Sequence, residues 1–372
     1  MRICIDTQAA IGQQAGVGRY TRCLVEELAR SHGGHDLCLF YFDFRRQGSP
    51  FPAGDFEQRA VRWCPGRIVQ KAWKTVSFPP FDWLAGAAEL YHFPNFVRPP
   101  LTCGRSVVTI HDLSFLRHPE TTEAGNLRFL RAQIHKTARR ADAVITDSDF
   151  SKSEIEDLLG LPSERVFAVH LGLDQHRRKT GAEDIAALRS KYSLDRPYLL
   201  SVGTLEPRKN YAFLVDVFER LESFEGDLVI AGMRGWKYEP LLERVRSSPL
   251  AARIRLLEYV EDADLAPLYA GAELFMIASL YEGFGFTPLE AMSYGTPVVS
   301  STGGSLPEVL GDAALLVEGF ESGEWVAETE RLLADGDRRS ELAEAGRIQA
   351  GKYRWERTAA KTLEVYEKIG GD

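Results

Sequence analysis

The amino-acid sequence predicts an α/β protein built from two doubly wound parallel-sheet domains, on three observations. The chain has 372 residues, enough for two domains of ordinary size. Short β-branched and aliphatic runs alternate with amphipathic stretches of helical period, the pattern of a parallel sheet flanked by helices. That alternation occurs twice, and a polar stretch over residues 174–195, carrying Gly181, separates the two series.

The first series opens with Arg-Ile-Cys-Ile-Asp at 2–6, read as a buried strand, and continues with strands at 37–42, 106–110 and 143–146. Tyr20, Leu24 and Leu28 share one helical face, and Gly33-Gly34 stands just beyond that helix. The second series has strands at 198–202, 228–231, 254–257, 274–277 and 297–300, with helices at 213–221, 265–269 and 289–293 between them. A last helix covers 354–369 and sets Leu363 and Tyr366 on one face. The domains are therefore expected at 1–173 and 174–353. Two such halves facing each other would form a cleft at the carboxyl ends of their strands, where ligands of this architecture bind.

Composition narrows the function. With 44% hydrophobic and 26% charged residues the chain is typical of a folded, soluble protein. No apolar run approaches the roughly 20 residues that span a bilayer, and the N-terminus lacks the apolar core of a signal peptide. Five scattered cysteines (Cys4, Cys23, Cys38, Cys64 and Cys103) with no Cys-x-x-Cys pair fit reduced thiols in the cytoplasm.

The net charge of -8 is unevenly distributed. Residues 1–171 hold 21 basic against 19 acidic side chains, and the remainder 24 against 34. Arg59, Arg62, Arg67, Lys71 and Lys74 are interleaved with Trp63 and Trp73, while Arg128, Arg131, Lys136, Arg139 and Arg140 fall on one predicted helix. Such a surface could dock on anionic lipid or on a phosphorylated acceptor, but a solvated helix face with two partly buried tryptophans is the simpler reading. An acidic chain is not expected to bind nucleic acid.

The most informative stretch is Glu282-Gly-Phe-Gly-Phe-Thr-Pro-Leu-Glu290. Pro288 suits the first position of a helix, so Thr287 is expected as N-cap and Thr287-x-x-Glu290 as a capping box. The amides of Gly283, Phe284, Gly285 and Phe286, with the positive end of the helix dipole, suit a phosphate. Glu282 and Glu290 could hold sugar hydroxyls. At the end of the first strand of the second series stands Ser201-Val-Gly-Thr-Leu-Glu-Pro-Arg-Lys-Asn210. Gly203 allows a close turn beside Thr204, and Arg208 with Lys209 can neutralise a diphosphate, Arg by a fork and Lys as a point charge.

The matching junction of the first series is Gln13-Gln-Ala-Gly-Val-Gly-Arg-Tyr20, where Gly16 and Gly18 permit close approach to a ligand. His111-Asp112 ends the 106–110 strand, where a histidine can exchange protons, bond a hydroxyl, or serve structure alone. Asp147-Ser-Asp149 and Asp262-Ala-Asp264 resemble metal-ligand triplets, yet each precedes a helix and reads better as a cap, so no metal and no cofactor are expected.

These motifs together resemble the family 4 retaining glycosyltransferases, and more narrowly the bacterial mannosyltransferases of O-antigen and exopolysaccharide assembly. The resemblance is carried by Gly-Val-Gly-Arg-Tyr at 16–20, His-Asp at 111–112, Thr-Asp-Ser-Asp-Phe-Ser at 146–151, Gly-Thr-Leu-Glu-Pro-Arg-Lys-Asn at 203–210 and the 282–290 window. Gly-Thr-Pro-Val-Val at 295–299, Ser-Leu-Pro-Glu-Val at 305–309 and Gly-Asp-Ala-Ala-Leu-Leu-Val at 311–317 extend it. It implies the GT-B fold of two Rossmann-like domains, with the segment 354–372 returning to an N-terminal acceptor-binding domain.

The resemblance also implies roles. Arg208 and Lys209 would bind the donor diphosphate, Glu282 the sugar hydroxyls and Glu290 the ribose. The amides of Gly283 to Phe286 would touch sugar and phosphate, and His111 with Asp112 would lie by the sugar and the acceptor. Gly16 and Gly18 would close over the diphosphate, Gly203 and Thr204 would line it, and the backbone at Val260 would meet the base. The implied partners are a nucleotide-sugar donor, most simply GDP-mannose, and a saccharide or polyprenyl-diphosphate-linked acceptor. Peripheral contact with the cytoplasmic face of the inner membrane, through the basic N-terminal surface, is expected as well. One departure is Leu171-Gly-Leu-Asp174, where many relatives carry Asn-Gly-Val-Asp. A UDP-sugar or GDP-rhamnose donor, a phosphorylase or epimerase of the same fold, and a non-catalytic scaffold are the alternatives.

Overall fold

The computed structural model describes residues 1–12, 16–31, 33–49, 51–52, 54–173 and 180–371. Asp174 of the departing segment, and Gln13 to Ala15 of the glycine-rich junction, lie outside them. Two parallel sheets organise the described residues. The first has seven strands: β1 Arg2–Asp6, β2 Asp36–Phe42, β3 Glu57–Val61, β4 Leu90–Phe93, β5 Arg105–Thr109, β6 Ala143–Thr146 and β7 Val166–Ala168. Their order is β3-β2-β1-β4-β5-β6-β7. The second has six strands: β8 Tyr198–Val202, β9 Asp227–Ala231, β10 Ile254–Leu257, β11 Leu274–Ile277, β12 Val298–Ser301 and β13 Leu315–Val317. Their order is β10-β9-β8-β11-β12-β13. In both sheets the order reverses beside the first strand, the doubly wound pattern.

The central strands are buried on both faces, so they read as continuous apolar runs and are legible in the sequence. Sequence patterns do not single out β3, β4, β7 and β13. The strands β3, β7 and β13 are sheet edges, and β3 carries Glu57, Gln58 and Arg59. β4 is four residues long and places His92 among its apolar neighbours.

Helices begin two or three residues before their expected starts, as at Tyr211–Glu219, Asp262–Ala270 and Phe286–Ser293. The caps differ from expectation too. Ser148, not an aspartate, caps the helix Asp149–Leu159 by accepting the Ser151 amide at 3.1 Å. The N-cap of the helix Asp262–Ala270 is Glu261, and Asp264 instead takes Lys191 Nζ at 2.6 Å and the Tyr192 hydroxyl at 2.9 Å. The helix Phe286–Ser293 has Gly285 as its N-cap, at φ 101°, so Thr287 and Pro288 lie inside its first turn and the expected capping box does not form.

The chain divides into two units. One comprises Met1–Leu113, Arg128–Gly172 and Arg354–Asp372; the other comprises Ser114–Leu127 and Leu173–Tyr353. In the first unit the C-terminal helix Trp355–Gly370 packs on the helix Val17–Arg30 and on β5 and β6. Its Tyr366 hydroxyl meets His92 Nδ1 at 2.6 Å, and Thr358 Oγ1 donates to the His170 carbonyl at 2.8 Å. In the second unit the segment Ser114–Leu127 is tied down by side chains from after β9. Trp236 Nε1 donates to Thr121 O at 2.6 Å, and Lys237 Nζ to Glu120 O at 2.7 Å and Thr122 O at 3.0 Å. No described helix is long and apolar enough to cross a membrane.

Candidate active site

The second unit brings Arg208, Lys209 and Glu282 together. Arg208 and Lys209 lie in a 3-10 turn, Pro207–Lys209, between β8 and the helix Tyr211–Glu219. Asn210 turns the chain into that helix at φ 54°. Glu282 follows β11, and its carboxylate is buried. Oε1 accepts Lys209 Nζ and Ser279 Oγ, both at 2.6 Å, while Oε2 accepts Arg208 Nη1 at 3.0 Å. Arg208 Nη1 also reaches the Tyr281 carbonyl at 2.6 Å, and Nη2 donates to Glu206 Oε1 at 2.6 Å.

Burial by itself would push the Glu282 carboxyl up, but the Lys209 and Arg208 charges outweigh it and hold the group at about 2. Glu282 is therefore an anion at any physiological pH. A carboxylate offers about four acceptor directions, and three are used here, which leaves one on Oε2.

Backbone geometry holds this cluster in place. The Glu282 carbonyl accepts the Ser305 amide at 2.9 Å and the Ser305 hydroxyl at 3.1 Å, and Gly304 pairs with Glu282 in an isolated bridge. Gly203 lies at φ 152°, and a Cβ there would come within 2.9 Å of the Tyr211 hydroxyl and 3.3 Å of Lys209 Cε. Thr204 beside it is exposed, and Val260, just after β10, is buried. Phe284 is buried, with its ring edge-on to Phe286 and Tyr353, both at 5.4 Å. Glu290 is buried in the helix Phe286–Ser293, where Oε2 accepts the Tyr269 hydroxyl at 2.8 Å.

The first unit holds a second group. His111 is buried two residues beyond β5, with Nδ1 on Asp147 Oδ2 at 2.8 Å and Nε2 on the Pro94 carbonyl at 3.0 Å. A carbonyl only accepts, so Nε2 carries a proton, and one further proton bridges Nδ1 and Asp147. Burial would push the imidazole down, yet Asp147 and the Pro94 carbonyl drive it above the ordinary histidine value. Burial also raises the Asp147 carboxyl. The histidine direction prevails because both ring nitrogens face acceptors. Asp112 is half-buried and adds its charge in the same sense. Tyr20, from the glycine-rich junction, packs edge-on against His111 at 4.8 Å. Gly16 is the N-cap of the helix Val17–Arg30 at φ 57°, and Gly18 is buried in its first turn.

Ser279 and Gly304 complete the first group without being singled out by sequence patterns, while Glu206, Ser305 and Asp147 stand in motifs that name none of these partners. Asp147 is the clearest case. The β5–β6 register pairs Thr109 with Ile145, and two residues further on it sets Asp147 opposite His111.

Residues 15–177 match the profile of Glycosyltransferase Family 4, and residues 184–349 that of Glycosyl transferases group 1. The O-antigen chain mannosyltransferase B of Escherichia coli is 30% identical over 99% of this chain and 100% of its own length. The chain is a family 4 glycosyltransferase. This glycosyltransferase is also 30% identical to the serotype-specific mannosyltransferase WbdA of Escherichia coli, over 71% of the chain and 34% of that longer protein. Sucrose-phosphate synthase from Thermosynechococcus elongatus superposes with a TM-score of 0.77 at 19% identity, over 100% of this chain and 99% of that one. HepE of Anabaena, solved with UDP and glucose, gives 0.72 at 20% identity over 100% of both chains. Both confirm GT-B, and the glycosyltransferase has the two Rossmann-like sheets of that fold.

Proposed function

We propose that this glycosyltransferase moves mannose from GDP-mannose, with retention at the anomeric carbon and without a metal ion, to a polyprenyl-diphosphate-linked or oligosaccharide acceptor in bacterial surface-polysaccharide synthesis. It would work in the cytoplasm, in peripheral contact with the inner membrane. The mannosyltransferase names of the relatives at 30% identity support the sugar. The observation that carries the reading is the Arg208–Lys209–Glu282 cluster.

Cleaving the bond between C1 and the diphosphate oxygen puts negative charge on the leaving group, and preorganised cations stabilise it there. Lys209 uses one of its three N–H groups on Glu282, so two remain for a phosphate oxygen. Glu282 holds both cations and keeps one acceptor direction for a sugar hydroxyl. As C1 becomes cationic, the acceptor hydroxyl bonds to it on the face the diphosphate leaves, and its proton passes to the departing phosphate oxygen. No enzymic nucleophile is needed.

The test is a thermal-shift series with GDP, UDP, ADP and their sugar conjugates in EDTA, followed by NMR of the product's anomeric proton. Stabilisation by GDP and GDP-mannose, with an α-linked product, is expected. A UDP-only response overturns the donor, silence towards every nucleotide favours a scaffold, and a glycosyl group trapped on Glu282 removes same-face attack.

A further inference from the structure

A cavity of about 870 Å³ opens in the first unit, walled by residues that follow β1, β2 and β4 and by the helices Gly66–Thr75 and Ala124–Arg140. Its size is that of a small-ligand site. Its charge is opposite to that of the chain. Arg45, Arg67, Lys74, Arg98, Lys136 and Arg140 line it, in a protein of net charge -8.

The two carboxylates in its wall do not offset this. Asp43 is taken by Arg62 Nε at 3.1 Å and by the Gln47 amide at 2.6 Å. Burial pushes Asp6 up to about 6, which leaves it mostly ionised at neutrality, one carboxylate against six cations. The cations themselves lack carboxylate partners among the described residues. Lys74 stands over the Phe129 ring at 3.8 Å, and Lys136 donates to Ser77 Oγ at 3.2 Å. Arg98 is held by Ser106 Oγ at 2.9 Å, and burial pushes its guanidinium down against the Asp142 charge, with Arg140 adding to the fall. Like charges crowded around an apolar-walled space raise the free energy of the empty site, and a multivalent anion relieves it.

The helix Gly66–Thr75 and the residues that flank it carry apolar side chains in solvent. Arg67, Gln70 and Lys74 recur at helical spacing on the cavity side. Ile68 is 61% exposed, and Trp63 and Val76, at the two ends of the helix, are 71% and 67% exposed. An anion that arrives on a lipid chain satisfies both features at once; a free anion satisfies only the first.

We propose that this cavity holds the diphosphate of a lipid-linked acceptor, with Arg67, Lys74, Lys136 and Arg140 on its oxygens and Trp63, Ile68 and Val76 against the adjoining isoprenoid. The assignment rests on the reading that the acceptor is polyprenyl-linked. It locates that acceptor's charged end and names the side chains that recognise it.

The experiment is calorimetric titration of the full chain with inorganic diphosphate and with farnesyl diphosphate, each with and without saturating GDP. Binding that survives GDP, about tenfold tighter for farnesyl diphosphate, and about tenfold weaker in Arg67→Ala and Arg140→Ala, is expected. Trp63→Ala should weaken farnesyl diphosphate alone. Lys71→Ala changes an exposed cation of the same helix outside the cavity and should change nothing. Equal affinity for the two ligands overturns the lipid source. Absence of binding, or an equal loss in Lys71→Ala, overturns the site. If GDP fails to bind while the cavity titrates, the donor reading falls and the cavity stands.

Discussion

Gly304 lies against the backbone of Glu282 so closely that a Cβ there would overlap the Glu282 carbonyl oxygen and stand 2.7 Å from its amide nitrogen. Its φ of 70° is also one that side chains rarely adopt. Gly304→Ala must therefore displace the loop that carries the carboxylate on which Arg208 and Lys209 converge. We expect a loss of about 1–3 kcal/mol in stability and a fall in kcat larger than the change in donor affinity. Urea melts and single-turnover kinetics on the variant measure both. Full activity in Gly304→Ala would show that the position of Glu282 is not critical.

Arg208 and Lys209 should separate stability from catalysis. Arg208 bridges two buried carboxylates, Glu206 and Glu282, so Arg208→Ala strands charge and should cost about 3–5 kcal/mol. Lys209→Met leaves Arg208 on both carboxylates. Its melting temperature should fall less, while turnover drops about 10²–10³-fold, as for the loss of one preorganised donor. Equal melting losses in the two variants would contradict this division.

His111 and Asp147 define a titration that NMR of the imidazole can follow. The folded value is above the ordinary 6.5, so the stability this histidine contributes is complete below 6.5 and is lost as pH rises through the folded value. Asp147→Asn leaves only the Pro94 carbonyl and the Asp112 charge against burial, and the His111 titration should move down. An unmoved titration would rule out Asp147 as its cause.

His92 should act in the opposite sense. Burial, aided by the nearby His111 charge, pushes it down to about 3, with Nδ1 on Tyr366 and Nε2 on Thr109 Oγ1 at 2.8 Å. The unfolded chain then binds a proton that the folded one does not, so stability falls as pH drops below 6.5. Between pH 6.5 and 5 this group alone should remove about 2 kcal/mol. Glu282, held at about 2 against an ordinary 4.5, adds its own loss as pH falls below 4.5. Urea melts at pH 7 and 5 test the first step, and a His92→Gln chain should lose that slope. Tyr366→Phe, which leaves a ring nitrogen of His92 without a partner, should cost about 1–3 kcal/mol at pH 7.

Much of this molecule is legible along the chain. Strands buried on both faces read as apolar runs, and Arg208, Lys209 and Glu282 stand at strand ends next to glycines that mark sharp turns. Two local readings gave way to longer-range contacts. Asp147 looks like a helix cap, but Ser148 takes that role, and β5–β6 pairing brings Asp147 to His111 instead. Glu290 looks like the end of a capping box, but Gly285 starts the helix and Tyr269 claims the carboxylate.

The sequence by itself determined the alternation of strand and helix, the plan of two doubly wound domains and the residue types at the strand ends, because each depends on local spacing and side-chain chemistry. Only the tertiary structure decided which charges meet. Glu206 and Glu282 are separated by more than seventy positions along the chain yet share Arg208, and six cations from four segments of the first unit line one cavity. Charges carry no periodicity that names a partner. Their pairing follows from strand order and register, which place distant loops at the same edge of a sheet.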